Sequence, residues 1–450
     1  MTPIRTQPTG LYSLCLSVGL ERMAYFGLQS VLALYLVDLM TGPSDPGTRI
    51  WLLPTVLRLS STDGMALASV ITGLFLSLTA LAPVLGGILA DRLMGYRRAI
   101  LLGGAMMATG HGLMIAQEAL LLALTCIALG SGLFKGTAAA QLSDLYARED
   151  SARVEGFRLF YIAINLAALV APVVIGTMAQ RVAWHAGFAT ACLVMLAGLG
   201  VYARLFPVSP TDTMRSANPG MQADRERPHI RAPQTMALLA TATALTTLTN
   251  FQITNAYLLW VDRSFDLLIG AWRVPSSWMI AADGLLSLLA LAGSSLFWQR
   301  HEQRSGPVGA CAKAVIGSGL VAGGTACLVA AVMVHGNSGI PVAWGLAFQL
   351  LNSLGLANVL PAVMAMFGQS SDRHRAATAM AGFYLALFAA GLLSTAAAAL
   401  FTRLGPGQFW ALHLLASGLG TACLTILWYR SRRAPSPTFR HARGLTDQVT

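Results

Sequence analysis

The sequence predicts an all-α polytopic membrane protein with twelve transmembrane helices in two six-helix bundles. Three observations carry this expectation. The 450 residues are 55% hydrophobic and only 11% charged, with a mean hydropathy of +0.62, whereas about a quarter of an ordinary soluble chain is charged. The apolar residues gather in long continuous runs of roughly 20 residues, the length that crosses a bilayer as a helix. The longest polar stretch, PVSPTDTMRSANPGMQADRERPHIRAP over 207–233, stands mid-chain and divides six runs from six.

The runs lie at about 10–40, 64–89, 98–116, 119–142, 157–180 and 184–206, then at about 234–262, 275–298, 311–335, 340–367, 376–402 and 406–429. They are continuous and lack the ten-residue alternation of a barrel strand. With the N-terminus placed inside, the outer connectors hold only Arg49, Arg58, Arg181, Arg263, Arg273 and Arg403. Arg22 and Lys135 fall within the membrane, and every other Lys and Arg lies inside. Positive residues mark the cytoplasmic side, so both termini are expected in the cytoplasm, for a protein of the bacterial inner membrane. The organisation expected is a cytoplasmic N-terminus over 1–9, a first bundle over 10–206, a flexible linker over 207–233, a second bundle over 234–430 and a basic tail over 431–450. The connector 41–63 reads as an outer loop or short helix.

Several function classes are excluded on composition. The net charge of +11 is Arg-based and scattered among short connectors, which reads as topology and not as a nucleic-acid surface. Cys15, Cys126, Cys192, Cys311, Cys327 and Cys423 all sit in apolar runs with no CxxC or Cys/His pairing, so neither a metal site nor a disulfide framework is expected. No HExxH and no Walker-type phosphate loop occurs. No cofactor and no enzymatic nucleophile constellation is expected. The first run is too long for a signal peptide and carries Glu21 and Arg22.

Between the second and third runs stands GGILADRLMGYRRAI, residues 86–100. Gly87, Asp91, Arg92, Gly95, Arg97 and Arg98 resemble the G-x-x-x-D-R-x-x-G-x-R-R signature of the major facilitator superfamily. The glycines permit a tight turn and close helix approach, and the aspartate is placed to pair with an arginine or a helix end as a conformational latch. The bland alternative is an ordinary basic loop. Further segments resemble the proton-dependent oligopeptide transporter (POT, or PTR) family within that superfamily. They are LERMAYFG (20–27), LFKGTAAAQLSDLY (133–146), FRLFYIAINLAALVAP (157–172) and WHAGF (184–188), and more loosely WVDRSFD (260–266) and PSSWMIAADGLLSLLALA (275–292). The resemblance implies two rocking bundles around a midplane site.

Departures from the pattern matter as much. The family's first helix 1 acid falls at Val18, with Glu21 and Arg22 retained and Phe26 in place of the second tyrosine. The acidic positions of helices 7 and 10 fall at Phe251 and Leu356, and an asparagine of helix 8 becomes Asp283. The resemblance therefore implies a divergent member. A charge at a helix centre costs about 2.5–3.5 kcal/mol on insertion scales, so Glu21, Arg22, Lys135 and Asp283 are the leading substrate and proton-coupling residues. The alternative for them is a buried ion-pair network, which an apolar replacement would often improve. The resemblance implies Glu21 near Lys135, with Arg22 directed into the same cavity. Tyr25, Tyr161, Asn165, Gln252, Asn255 and Tyr384 are weaker substrate-binding candidates, against plain interhelical hydrogen bonding. His111, between Gly110 and Gly112, reads as packing, and Glu118 and Asp144 as solvated span ends.

The expected function is secondary active transport of a small peptide or peptide-like solute by alternating access, with proton coupling. Its partners are that solute, protons and the lipid bilayer. Export of a peptide-like metabolite or drug, and a non-transporting sensor or assembly factor on the same fold, are the alternatives.

Overall fold

Without water at depth, a backbone satisfies its hydrogen bonds within its own helix, and the described chain is helical nearly throughout. The computed structural model describes residues 8, 10–42, 50, 64–146, 152–206, 233–368 and 376–433. Before the polar linker run α1 (Leu11–Gln29), α2 (Leu32–Thr41), α3 (Gly64–Leu89), α4 (Tyr96–Leu113), α5 (Leu120–Asp144), α6 (Ala152–Arg181) and α7 (Trp184–Leu205). After it run α8 (Pro233–Thr247), α9 (Ala256–Ser264), α10 (Trp278–Ser305), α11 (Ala310–His335), α12 (Val342–Gly368), α13 (Ala376–Ala398) and α14 (Phe401–Arg433). Among the described residues, nine helical stretches are long and apolar enough to cross a membrane. Tyr96–Leu113, Ala376–Ala398 and the broken helix over 233–264 fall outside that set. The connector 43–63, apart from Ile50, the linker 207–232 and the tail 434–450 lie outside the described residues.

Two expected helices are broken. The first run turns at Ser30 and Val31 between α1 and α2, where the Ser30 hydroxyl donates to the Gly27 carbonyl at 2.8 Å. The seventh is interrupted over 248–255 by a 3-10 turn, Asn250–Gln252. There the Gln252 N–H donates to the Thr249 carbonyl at 3.0 Å and the Asn255 N–H to the Gln252 carbonyl at 2.9 Å. Neither break contains a proline, whereas Pro83, Pro172 and Pro361 sit inside α3, α6 and α12. α14 changes direction at Gly405, whose φ of 71° and ψ of 165° no other residue type adopts cheaply.

Four two-residue strands were not expected from hydropathy. β1 (Phe265–Asp266) pairs parallel with β4 (Ile340–Pro341), and β2 (Leu268–Ile269) pairs antiparallel with β3 (Trp272–Arg273) around Gly270. They lie in the connectors between α9 and α10 and between α11 and α12.

Packing between helices relies on small residues, as membrane interfaces do. A Cβ on Gly103 of α4 would lie 2.7 Å from the Gly130 carbonyl of α5, and one on Gly132 would lie 2.6 Å from the Ala82 carbonyl of α3. Gly103→Val is therefore expected to destabilise the protein by about 1–3 kcal/mol, the usual cost of overpacking. A melting curve in detergent reads this directly; a native-like midpoint would mean the helices separate freely there.

The helices before and after the linker meet along a seam near the end opposite it. Gln180 Nε2 donates to Ser276 Oγ at 2.9 Å, Trp278 Nε1 to Thr177 Oγ1 at 2.9 Å, and Asn255 Nδ2 to the Ser69 carbonyl at 3.0 Å. The guanidinium of Arg181 stands over the Trp272 ring at 5.5 Å. Small side chains fill the contact, since added Cβ atoms at Gly73 and Gly391 of the two groups would meet Thr395 and Ser77 across it.

Candidate functional site

Below that seam, between the two helical groups, lies a cavity of about 350 Å³. The first group contributes Tyr25, Phe26 and Gln29 of α1, Leu76, Thr79 and Ala80 of α3, Lys135 of α5 and Ala168 of α6. The second contributes Asn250, Phe251, Ile253 and Thr254 from the break before α9, with Ile280, Asp283 and Gly284 of α10. Gly284 lets α10 press against α6, where an added Cβ would lie 3.2 Å from the Ala168 carbonyl. The 3-10 turn matters because its tighter winding presents Phe251, Ile253 and Thr254 to the cavity.

Opposite charges face this space from opposite groups. Lys135 Nζ stands 3.5 Å from the centroid of the Tyr25 ring, a cation on an aromatic face. The Tyr25 hydroxyl is paired with Thr79 Oγ1 at 2.8 Å, which in turn donates to the Leu76 carbonyl at 2.9 Å. That chain fixes the ring that carries the lysine. Across the cavity, Asp283 Oδ1 is buried and has no hydrogen-bond partner. A buried carboxylate oxygen left unpaired is costly, and it marks where a donor would be welcome.

Glu21 and Arg22 do not line the cavity. Glu21 is wholly buried, and Arg22 Nε reaches back to Glu21 Oε2 at 2.7 Å. The guanidinium carbon lies 5.7 Å from the Tyr25 ring. Arg22 thus turns toward its neighbour and away from the cavity, because its long stem spans the roughly 100° between consecutive helical positions. No ion pair within 4 Å joins Glu21 to Lys135 among the described residues. Glu21, Arg22, Tyr25 and Lys135 still form one contiguous polar cluster, with Tyr25 as its centre.

Of the weaker candidates, only Tyr25 reaches the cavity. Tyr161 is half exposed, and Asn165 Nδ2 donates to the Tyr161 carbonyl on its own helix at 2.8 Å. Gln252 is buried on the far side of the 3-10 turn, and Asn255 is used in the seam. Tyr384 packs edge-on against Phe383, outside the cavity. Sequence reasoning overlooked Gln29, Thr79, Asn250 and Thr254. Uncharged polar residues are too frequent in these helices to stand out. His111 is buried in α4 without a partner on either ring nitrogen.

The basic signature after α3 takes a defined shape. A π turn over Ala90–Met94 ends at Gly95, whose φ of 74° and ψ of 161° suit glycine alone. Arg97 then donates from Nη2 to the Ala203 carbonyl at 3.2 Å and from Nη1 to the Phe206 carbonyl at 3.3 Å. It caps the C-terminal end of α7, where free carbonyls favour a cation. Gly87 faces Gly136 of α5, where an added Cβ would lie 2.9 Å from the Gly87 nitrogen. Arg92 and Arg98 are exposed; the side chain of Asp91 lies outside the described residues.

Residues 97–204 match the family model described as the POT family. That matched segment runs from α4 through α7. A di-/tripeptide transporter of Lactococcus lactis subsp. cremoris is 34% identical over 199 residues, covering 44% of this chain and 37% of that protein. An uncharacterized transporter of Bacillus subtilis (strain 168) is 33% identical over the same length. The match thus spans well under half of these curated relatives. Likeness of fold runs further. A crystal structure of a peptide transporter POT in complex with sulfate superposes with a TM-score of 0.79 at 19% identity, covering 96% of each chain. One of a POT family transporter in complex with 5-aminolevulinic acid gives 0.78 at 18% identity, covering 96% of this chain and 98% of that one. The likeness of fold thus extends over both helical groups.

Proposed function

We propose that this chain is a secondary transporter of the POT family that moves a small peptide or peptide-like zwitterion through the membrane by alternating access, with proton coupling. The observation that carries this reading is the single cavity faced by Lys135 from one helical group and by the unpartnered Asp283 from the other. A solute with a carboxylate and an ammonium would bridge the two groups, and bridging is what a rocking mechanism needs, because the bound solute then interacts differently with each conformation. The curated di-/tripeptide transporter and the complex with 5-aminolevulinic acid support solutes of this chemistry. Glu21, Arg22 and Lys135 are the proton-coupling cluster, and Asp283 receives the cationic end.

In this reading the first bundle spans 10–206, the second 234–430, and the linker 207–233 lies with both termini on the cytoplasmic side of an inner membrane. The seam seals the outer face. Uptake of labelled dipeptide-like solutes into proteoliposomes tests it: flux under a proton gradient is the expected result. Absence of flux for every zwitterion and every gradient would favour a sensor on the same fold, and efflux-only movement would favour an exporter.

Asp91 would latch one conformation through its charge. Asp91→Asn is expected to leave insertion intact and slow turnover by about tenfold, the scale of one charged hydrogen bond. Native-like exchange rates in that variant would remove Asp91 from the mechanism. Leu356 of α12 stands where the resemblance implies an acid, so dialanine-type uptake is expected to be weak, and strong uptake with an affinity unaffected by Asp283→Asn would count against this reading.

A further inference from the structure

The second helical group holds a buried histidine that the transport reading leaves unused. His413 of α14 is fully buried. Its Nδ1 lies 2.9 Å from the Phe409 carbonyl and its Nε2 lies 3.2 Å from Gln252 Nε2. Gln252 Nε2 also donates to the Ser394 carbonyl of α13 at 2.8 Å. A carbonyl accepts only, so the amide nitrogen of Gln252 must face Ser394. The same nitrogen then donates to His413 Nε2, and the ring proton must sit on Nδ1, donated to Phe409. Every contact in the network is consistent with a neutral ring.

One atom is left over. Gln252 Oε1 is buried with no partner. We propose that His413 is a positioning residue for the cavity wall, holding the 3-10 turn through Gln252 when neutral and releasing it when protonated. A proton taken from solvent onto Nε2 turns that atom from acceptor into donor, facing an amide that is itself a donor. Two donors cannot share the contact. The amide rotates, the free Oε1 accepts from Nε2–H, and the bond to Ser394 is given up.

The consequence reaches the cavity because residues on both sides of Gln252 line it: Asn250, Phe251, Ile253 and Thr254. The turn has two other anchors. Asn352 Nδ2 donates to Asn250 Oδ1 at 3.0 Å, and Asn255 bonds Ser69 across the seam. Loosening the Gln252 anchor therefore acts on the cavity wall and on a bond between the groups together. The groups facing the ring are Gln252 from the turn and Phe409 and Trp410 from its own helix, at 4.3 and 5.6 Å between centroids. Tyr257 of α9 packs on Trp410 at 6.3 Å and is the titratable side chain next in line. Among the described residues no carboxylate or cation contacts the ring.

Hydrogen exchange at 249–255 tests the idea without requiring transport. After correction for intrinsic exchange, the native chain in nanodiscs should show exchange rising about tenfold as the pH falls from about 6 to about 4. His413→Gln keeps an acceptor toward Gln252 but takes up no proton, and its exchange should stay level. An equal rise in His413→Gln, or no rise in the native chain, overturns the proposal. Should His413→Gln fail to fold, Gln252→Glu decides: a carboxylate accepts from the charged imidazole and has no amide N–H to turn away, so the rise should vanish, and a rise like that of the native chain overturns the proposal. The kinetic arm rests on the transport reading. There, the pH profile of uptake should flatten in His413→Gln. A pH-dependent turn in a chain that moves no solute would sink the transport reading and leave the switch standing.

Discussion

Arg22→Ala is expected to be the most destabilising single change among the buried charges. Arg22 Nε is 2.7 Å from Glu21 Oε2, and Glu21 is wholly buried. Removing one partner of a buried pair costs about 3–5 kcal/mol, because an uncompensated charge stays behind. Glu21→Gln added to Arg22→Ala should recover most of that loss. Lys135→Ala should cost less, since Glu21 keeps its nearest counter-charge and the lysine's main contact is the Tyr25 face, worth about 2 kcal/mol when desolvated. Melting temperatures of the three single and double variants order these effects. A Lys135→Ala midpoint as low as that of Arg22→Ala would make the lysine, and not the arginine, the partner that matters to Glu21. On the proposed reading of the cluster, driven transport should fail in both single variants.

Asp283→Asn is expected to act on recognition and leave stability nearly unchanged. The carboxylate faces the cavity with an unpartnered oxygen, so no existing bond is lost. A hydrogen bond to a charged group contributes about 1.5–3 kcal/mol, which is roughly a 10- to 150-fold rise in the KM of a zwitterion carrying a free ammonium. Solutes with a blocked amine should lose little. A uniform loss for blocked and free amines would mean that Asp283 supports the wall and holds no substrate amine. Robust uptake of free dipeptides by Asp283→Asn with unchanged affinity would place the amine elsewhere.

Hydropathy made the helical runs legible because the bilayer imposes both length and apolarity on each. The breaks were not legible for the same reason. The sequence NFQITN at 250–255 carries neither proline nor glycine, and its polar residues read equally well as positions lining a cavity from a continuous helix. The prolines at 83, 172 and 361, which do signal breaks, lie within continuous helices. Charged site residues were legible because each is costly in hydrocarbon. Their pairing was not: placing Arg22 against Glu21 depends on a side-chain rotamer, which spacing does not encode. Gln252 and Asn255 were assigned to the cavity on a continuous helix, and the 3-10 turn rotates them away from it. Thr79 and Thr254 carried no signal among the many hydroxyls of the chain.

The seam between the two groups has a consequence for how the protein responds to its medium. It is built of hydroxyls, amides, an indole N–H and close-packed small residues, with one arginine on an aromatic face, and among the described residues no ion pair crosses it. Mobile ions weaken contacts between exposed charges over about 8–10 Å at ordinary salt, but they have little purchase on buried amide and hydroxyl bonds. Opening and closing of the seam should therefore run at nearly the same rate in dilute and in concentrated salt. A contact of this kind holds by geometry where an ionic clasp would loosen as salt rises.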